Sequence, residues 1–371
     1  MHPYYKSPVK FLLQLFSIIG LNPMKRTLLP LVLFDLLSIF ATLVLIAMQF
    51  RYNVTTMKLF ADTVESLSTT THILIKLLTL LIKKNDIREL FKQMTRFWEV
   101  EQFDSKFQRE CFGELELLGY LTKTYVGFCV PAILFFVCRP FLMDDLAIIC
   151  YVPQFIPGAL FAVYNSLLFA NIAFAVVSFD TFACTMIVLL HLQYKLLNKR
   201  ISLLKLDQVD ERRCLHEMGR IVEYHNFLNG FLKNLNALIN FTFFLHYIVY
   251  TGTMCFELYM LSKSSERFTE VVKCVIYIAG LSFEMLICFC IPSTILTTEA
   301  SKNLRIIYES KWHDCRSKSI KQNILIIMAN SQQEVALWAG NMFRVNLETC
   351  TEAFKKTLSV YACLKTIGEK N

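Results

Sequence analysis

Charge is scarce in this chain: 18% of its 371 residues are Asp, Glu, Lys or Arg, against about 25% in ordinary soluble proteins. Glycine and proline are also few, eleven and nine, too few for the turns a β-barrel of ~10-residue alternating strands requires. The thirteen cysteines are odd in number and irregular in spacing. They include no Cys-x-x-Cys and one Cys-x-Cys, at Cys288 and Cys290, so neither a zinc site nor a disulfide framework is indicated. They read as small buried apolar side chains, with an extracellular bridge through Cys138 or Cys150 the exception considered. There is no His-x-x-x-His, no Gly-rich phosphate loop and no Gly-x-Ser-x-Gly elbow, and the paired acids Asp144 and Asp145 read as a solvated face. These absences predict no enzyme and no cofactor. The formal charge of +8 comes from scattered pairs rather than one basic stripe, which argues against a nucleic-acid partner.

What is present is apolar. Hydrophobic residues make up 55%, with 32 Phe and 13 Met, so part of that surface must face membrane lipid. The expected fold is an all-α membrane protein of seven transmembrane helices. The clearest span is Leu31 to Phe50, which carries one charge, Asp35, and matches a ~30 Å hydrocarbon core. The others are placed at Leu67 to Ile82, Leu121 to Cys138, Pro157 to Leu190, Ala237 to Leu261, Cys274 to Thr297 and Asn346 to Ile367. The fourth exceeds a membrane crossing, so part of it is expected to project into a cytoplasmic helical bundle. Before the first span, Phe11 to Leu21 is too short to cross and reads as a helix at the inner interface.

On these boundaries 26 of the 38 Lys and Arg fall on one side of the membrane and seven on the other. The positive-inside rule then places the N-terminus in the cytoplasm and the C-terminus outside. That is opposite to a G-protein-coupled receptor, whose Asp/Glu-Arg-Tyr and Asn-Pro-x-x-Tyr marks are also missing. The division expected is an N-terminal interfacial segment, 1–30; spans one to six, 31–300; a cytoplasmic helical segment, 301–345; and the last helix with its tail, 346–371. Asn53-Val54-Thr55 is a glycosylation acceptor just past the first span, on the outer side, while Asn240-Phe241-Thr242 lies within the fifth span.

From Tyr308 to Leu364 the sequence resembles the insect odorant receptor family. Tyr308-Glu309-Ser310-Lys311-Trp312 is similar to its Tyr-x-x-x-Trp, and Ile327-Met328-Ala329-Asn330-Ser331-Gln332 to its Ile-Met-x-Arg-Ser-Gln, with Asn330 replacing Arg. Ala339-Gly340-x-x-Phe343 and Asn346-Leu347-Glu348-Thr349 match the approach to the final helix, and Ser359-x-Tyr361 its Tyr-Ser-Tyr-Phe region. Gly20-Leu21-Asn22-Pro23 is similar to Gly-Leu-Trp-Pro. The final-helix ending of the related gustatory receptors is absent, and the 46-residue stretch 191–236 lacks the co-receptor's long insertion. A secondary transporter, the alternative from another class, would show inverted repeats and broken helices.

The resemblance implies the odour-binding subunit of a ligand-gated cation channel in the plasma membrane. Its implied partners are the co-receptor, in a heterotetramer, and a small volatile odorant. It also implies a pocket in the outer half, between the second, third, fourth and sixth helices. The residues that fit that depth are Ser68, Thr69 and His72, which share a helix face; Phe135 and Phe136; Phe161, Tyr164, Asn165 and Leu168; and Tyr277. For the hydroxyls the plainer reading is bonding to helical carbonyls or a neighbouring helix; for the aromatics it is packing. Lys76 and Glu284 are ionisable residues within spans and expensive there. Lys76 is expected to snorkel towards Lys83 and Lys84, and Glu284 has no evident partner. The final helix is implied to line the pore, with Glu348 and Glu352 at the inner mouth. Ala353, Phe354, Thr357, Leu358 and Tyr361 form its candidate stripe, from which Lys355 and Lys356 should point away. The run Ile324 to Met328 is expected to bury against a partner subunit or in its own core.

Overall fold

Apolar runs with few glycines and prolines favour uninterrupted helix, and helix is what the chain forms. The computed structural model describes residues 3–142, 145–204, 211–263, 268–310, 312–332 and 334–370. In chain order its helices are α1 Pro3–Ile18, α2 Leu29–Tyr52, α3 Met57–Ile82, α4 Lys84–Gln93, α5 Ser105–Leu142, α6 Gly158–Ser202, α7 Glu211–Lys263, α8 Phe268–Phe283, α9 Ile291–Glu309, α10 Lys318–Asn330 and α11 Leu347–Lys370. A π-helical segment, Glu284–Cys290, joins α8 to α9. Among the described residues, five helical segments are long and apolar enough to cross a membrane. The span expected at Leu67 begins ten residues earlier, where Thr56 caps α3 by accepting from the Leu59 amide (3.2 Å). α3 and α11 carry more charge but are 26 and 24 residues long, enough at 1.5 Å per residue.

α6 and α7, with 45 and 53 residues, measure about 68 and 80 Å, more than twice a hydrocarbon core. Their surplus packs with α1, α4, the start of α5, α9 and α10. α6 is the central post, touching α1, α2, α3, α5, α7 and α9. Gln193 on α6 ties this end together: it donates to the Tyr5 hydroxyl (2.9 Å) and accepts from the Trp98 amide (3.0 Å), whose ring stacks on Tyr224 at 3.8 Å. Beside it Glu114 pairs with Lys195 (2.6 Å) and His191 (3.3 Å). Burial raises the Glu114 carboxyl, but hydrogen bonds from His191 and Lys195 outweigh it and hold the group below its ordinary value.

The apolar face of α1 packs on the rest of the subunit. Leu12, Phe16 and Ile19 are buried in the protein, with Phe16 on Phe182 of α6 at 5.9 Å. Gly20, at φ +71°, turns the chain back, and Asn22 fixes the turn by donating to the Leu13 carbonyl and accepting from the Met24 amide. A left-handed residue just past a helix end is where glycine costs least.

Between α10 and α11, Trp338–Ala339 and Phe343–Arg344 pair antiparallel. This hairpin docks on α7 through side chains: Asn236 accepts from the Trp338 amide (2.8 Å) and Asn240 from the Asn341 amide (3.1 Å). Gly340 has φ +62°, and a Cβ there would lie 2.7 Å from the Phe244 ring. Ala339-Gly340-x-x-Phe343 therefore marks a turn that only glycine fits. On α10, Ile320, Ile324 and Ile327 bury within the subunit, whereas Leu325 and Ile326 are exposed.

Candidate functional site

α3, α5, α6 and α8 line a cavity of about 170 Å³, comparable to the ~150 Å³ apolar cavity that admits benzene. Its walls are mostly aromatic and aliphatic: Tyr125, Phe128 and Phe136 from α5, Phe169, Ala173 and Val177 from α6, and Tyr277 and Leu281 from α8. Phe136 anchors one wall, edge-to-face with Tyr277 at 4.9 Å and tilted on Phe169 at 5.6 Å. Thr69 and His72 of α3 and Glu284, first residue of the π-helical segment, supply polar lining.

Of the ten residues assigned to a pocket from sequence, Thr69, His72, Phe136 and Tyr277 line this cavity and the others do not. Asn165 is spent on the loop between α5 and α6, holding the Ile148 amide and carbonyl at 2.9 and 3.1 Å. Phe161 and Leu168 are buried without lining the cavity, and Tyr164 rests against Phe161. Ser68 is half-buried outside it, and Phe135 packs edge-on against Phe136 at 5.3 Å. Cys150, buried in contact with Asn165, and Cys138, exposed, are both free thiols. Asp144 lies outside the described residues; Asp145 pairs with Arg139 at 2.9 Å instead of facing solvent alone.

Below the cavity lies a cluster of ionisable side chains. Lys76 does not snorkel: it is wholly buried between Asp180 of α6 and Glu284, donating to both. An ammonium with two carboxylates within reach has no reason to travel two turns to water, and the partner missing for Glu284 is supplied. Tyr125 donates to the other Asp180 oxygen (2.6 Å). His72 Nε2 and His246 Nδ1 face each other at 2.9 Å and lie 3.5 and 3.2 Å from Glu284 Oε1. Asp180, His246 and Tyr125 were not singled out from the sequence. Asp35, also buried, accepts from Asn171 at 2.6 Å.

On α11, Ala353 and Thr357 are buried in the subunit, with the Thr357 carbonyl near Cys255 Sγ (3.5 Å) on α7. Phe354 and Tyr361 are half-buried, Phe354 edge-on to Tyr250, and Leu358 is 55% exposed. Of the candidate stripe, Ala353 and Thr357 therefore pack inward. Lys355 and Lys356 are exposed, as are Glu348 and Glu352.

A sequence model of the 7tm odorant receptor family matches residues 56–357. The chain belongs to the insect odorant receptor family. Similar relatives are odorant receptor 88a of Drosophila melanogaster, 25% identical over 47% of this chain and 41% of that protein, and odorant receptor 13a, 23% identical over 47% and 45%. The matches thus span less than half the length of these relatives. The fold superposes on olfactory receptor OR5 from Machilis hrabei, solved in complex with eugenol, with a TM-score of 0.83 at 14% identity, covering 98% of this chain and 99% of that one. A second structure of OR5 gives 0.82 at 13% identity, over 97% of this chain and 98% of that one. This odorant receptor is a multi-pass membrane protein of a channel family, not an enzyme.

Proposed function

We propose that the chain is the odour-binding subunit of a ligand-gated, non-selective cation channel, that it assembles with the odorant co-receptor, and that its odorant occupies the cavity between α3, α5, α6 and α8. The observation that carries this is the cavity itself: apolar and aromatic walls with a few converging polar groups are what a small volatile requires. At about 170 Å³ it suits a single ring or a short chain. The eugenol bound to OR5, a protein of the same fold, agrees with that size class. The four helices that wall it are the second, third, fourth and sixth crossings in the proposed topology, with the N-terminus cytoplasmic and Asn53 outside.

In this reading α11 contributes to the conduction path. Leu358, which its own subunit leaves exposed, is the residue of the candidate stripe best placed to meet other subunits at the symmetry axis. Ala353 and Thr357 hold α11 to α7.

The test is electrical. Co-expressed with the co-receptor, the chain should pass current in response to a subset of small volatiles, and Ala173→Trp, which fills the cavity, should abolish that response. Surface expression and co-purification should persist. An Ala173→Trp channel with an unchanged dose–response would remove the odorant from this cavity, and saturable uptake without current would favour a transporter.

A further inference from the structure

We propose that His72, His246 and Glu284 form a binding site for a divalent metal ion of the zinc type at the floor of the cavity. The argument begins with distances. His72 Nε2, His246 Nδ1 and Glu284 Oε1 are 2.9, 3.2 and 3.5 Å apart. Ligand atoms about 2.0–2.1 Å from a tetrahedral zinc are separated by about 3.3 Å. The three atoms thus already mark one face of a tetrahedron, and an ion over that face needs little movement of any side chain. All three residues are buried, and they come from α3, α7 and the π-helical segment, so a shared ion would join three elements.

The donor set selects the metal. Two imidazoles and one carboxylate suit a borderline cation, whereas calcium and magnesium take oxygen ligands and several of them. His72 and Glu284 also line the cavity, so the fourth position opens towards it.

Charge points the same way. Asp180 and Glu284 set two carboxylates against the one ammonium of Lys76, and with both imidazoles neutral a buried negative charge remains uncompensated. A low-dielectric interior favours a cation beside such a charge; a divalent ion carries the sum from −1 to +1, and an anionic ligand such as hydroxide in the fourth position returns it to zero. Lys76 shares the Glu284 oxygen but keeps Asp180 when an ion takes that position, and Tyr125 steadies the other Asp180 oxygen.

The experiment uses the full chain co-purified with the co-receptor in lipid nanodiscs through a tag free of histidine. The complex is stripped with chelator and dialysed against buffered Zn²⁺ alone. Elemental analysis should show one Zn²⁺ per copy of this chain above the co-receptor background, with binding at least tenfold weaker for His72→Gln and His246→Gln. No retained zinc, or equal retention by both variants, overturns the proposal and leaves a protonated imidazole pair or a cationic ligand as the compensating charge. Should the variants fail to assemble, Co²⁺ added to the unaltered complex decides: intense visible bands of four-coordinate cobalt, displaced by Zn²⁺, are expected, and their absence refutes the site. Odour-evoked current is not read, so the odorant reading of the cavity stands or falls separately.

Discussion

Replacing Lys76 with Met should destabilise the receptor more than any single change to the acids around it. Lys76 is fully buried and donates to Asp180 and Glu284, so its loss leaves two carboxylates in a membrane interior with no cation of their own. Removing one member of a buried ion pair costs about 3–5 kcal/mol, and the second orphaned carboxylate places this case at the upper end. Asp180→Asn is milder, because Lys76 and Glu284 then balance in charge and the amide oxygen can still accept from Tyr125. Its expected cost is that of degraded hydrogen bonds, about 1–3 kcal/mol. The triple variant Lys76→Met, Asp180→Asn, Glu284→Gln removes all three charges and should recover much of the loss, since neutral replacements of buried ionic groups are often tolerated. The assay is thermal unfolding of the detergent-solubilised receptor, followed by fluorescence size-exclusion chromatography. The expected order of Tm is wild type, Asp180→Asn, the triple variant, then Lys76→Met. If Lys76→Met unfolds with wild type, the cluster is hydrated and the reasoning from desolvation fails.

Three further outcomes are expected. Gly340→Ala should lower thermal stability by about 2 kcal/mol or more, because a left-handed backbone costs a non-glycine residue about 1–2 kcal/mol and the new Cβ would meet the Phe244 ring at 2.7 Å; an unshifted Tm would show that the hairpin gives way freely. Ile326→Asp and Ile327→Asp, adjacent on α10, should separate: Ile326 is 59% exposed and Ile327 9%, so the first should fold yet lose co-purification with the co-receptor, and the second should lose expression of the folded chain. Co-purification of Ile326→Asp at wild-type yield would exclude this face as an interface. An epitope at the N-terminus should label only after permeabilisation, and labelling of intact cells would invert the topology.

The membrane helices were legible because twenty apolar residues in a row have few other uses, and α2 extends only two residues beyond each end of the run read from sequence. The start of α3 was not, because Lys58, Asp62 and Glu65 look like a loop. In the structure Asp62 and Glu65 both accept from Lys273 of α8, at 2.6 and 2.8 Å, so the helix can carry acids into a packed region. Nothing local in the sequence announces a partner more than two hundred residues away. The cavity was half legible for a simpler reason. Phe135 and Phe136 differ by one residue, and a helix turns 100° between them; composition alone cannot say which one faces inward.

The ionic cluster was legible in part. Ionisable groups within spans are functional candidates by default, which singled out Lys76 and Glu284, but Asp180 meets the same condition more sharply. It is the sole Asp, Glu, Lys or Arg between Gly158 and Tyr194, in the helix that every other crossing except α11 touches, the sixth through its π-helical segment and α9. An unpaired carboxylate there would cost far more than it could contribute, so its presence already demands a buried donor. Lys76 was the one basic residue within the first six spans able to supply it other than Lys123, which lies near the start of the third. Pairing the two on that ground places α3 against α6 and, through Glu284, brings the sixth crossing to the same point from sequence alone. Snorkelling describes a lysine without an acid nearby; where a lone acid sits at similar depth on another helix, the ion pair is the arrangement that leaves no charge bare.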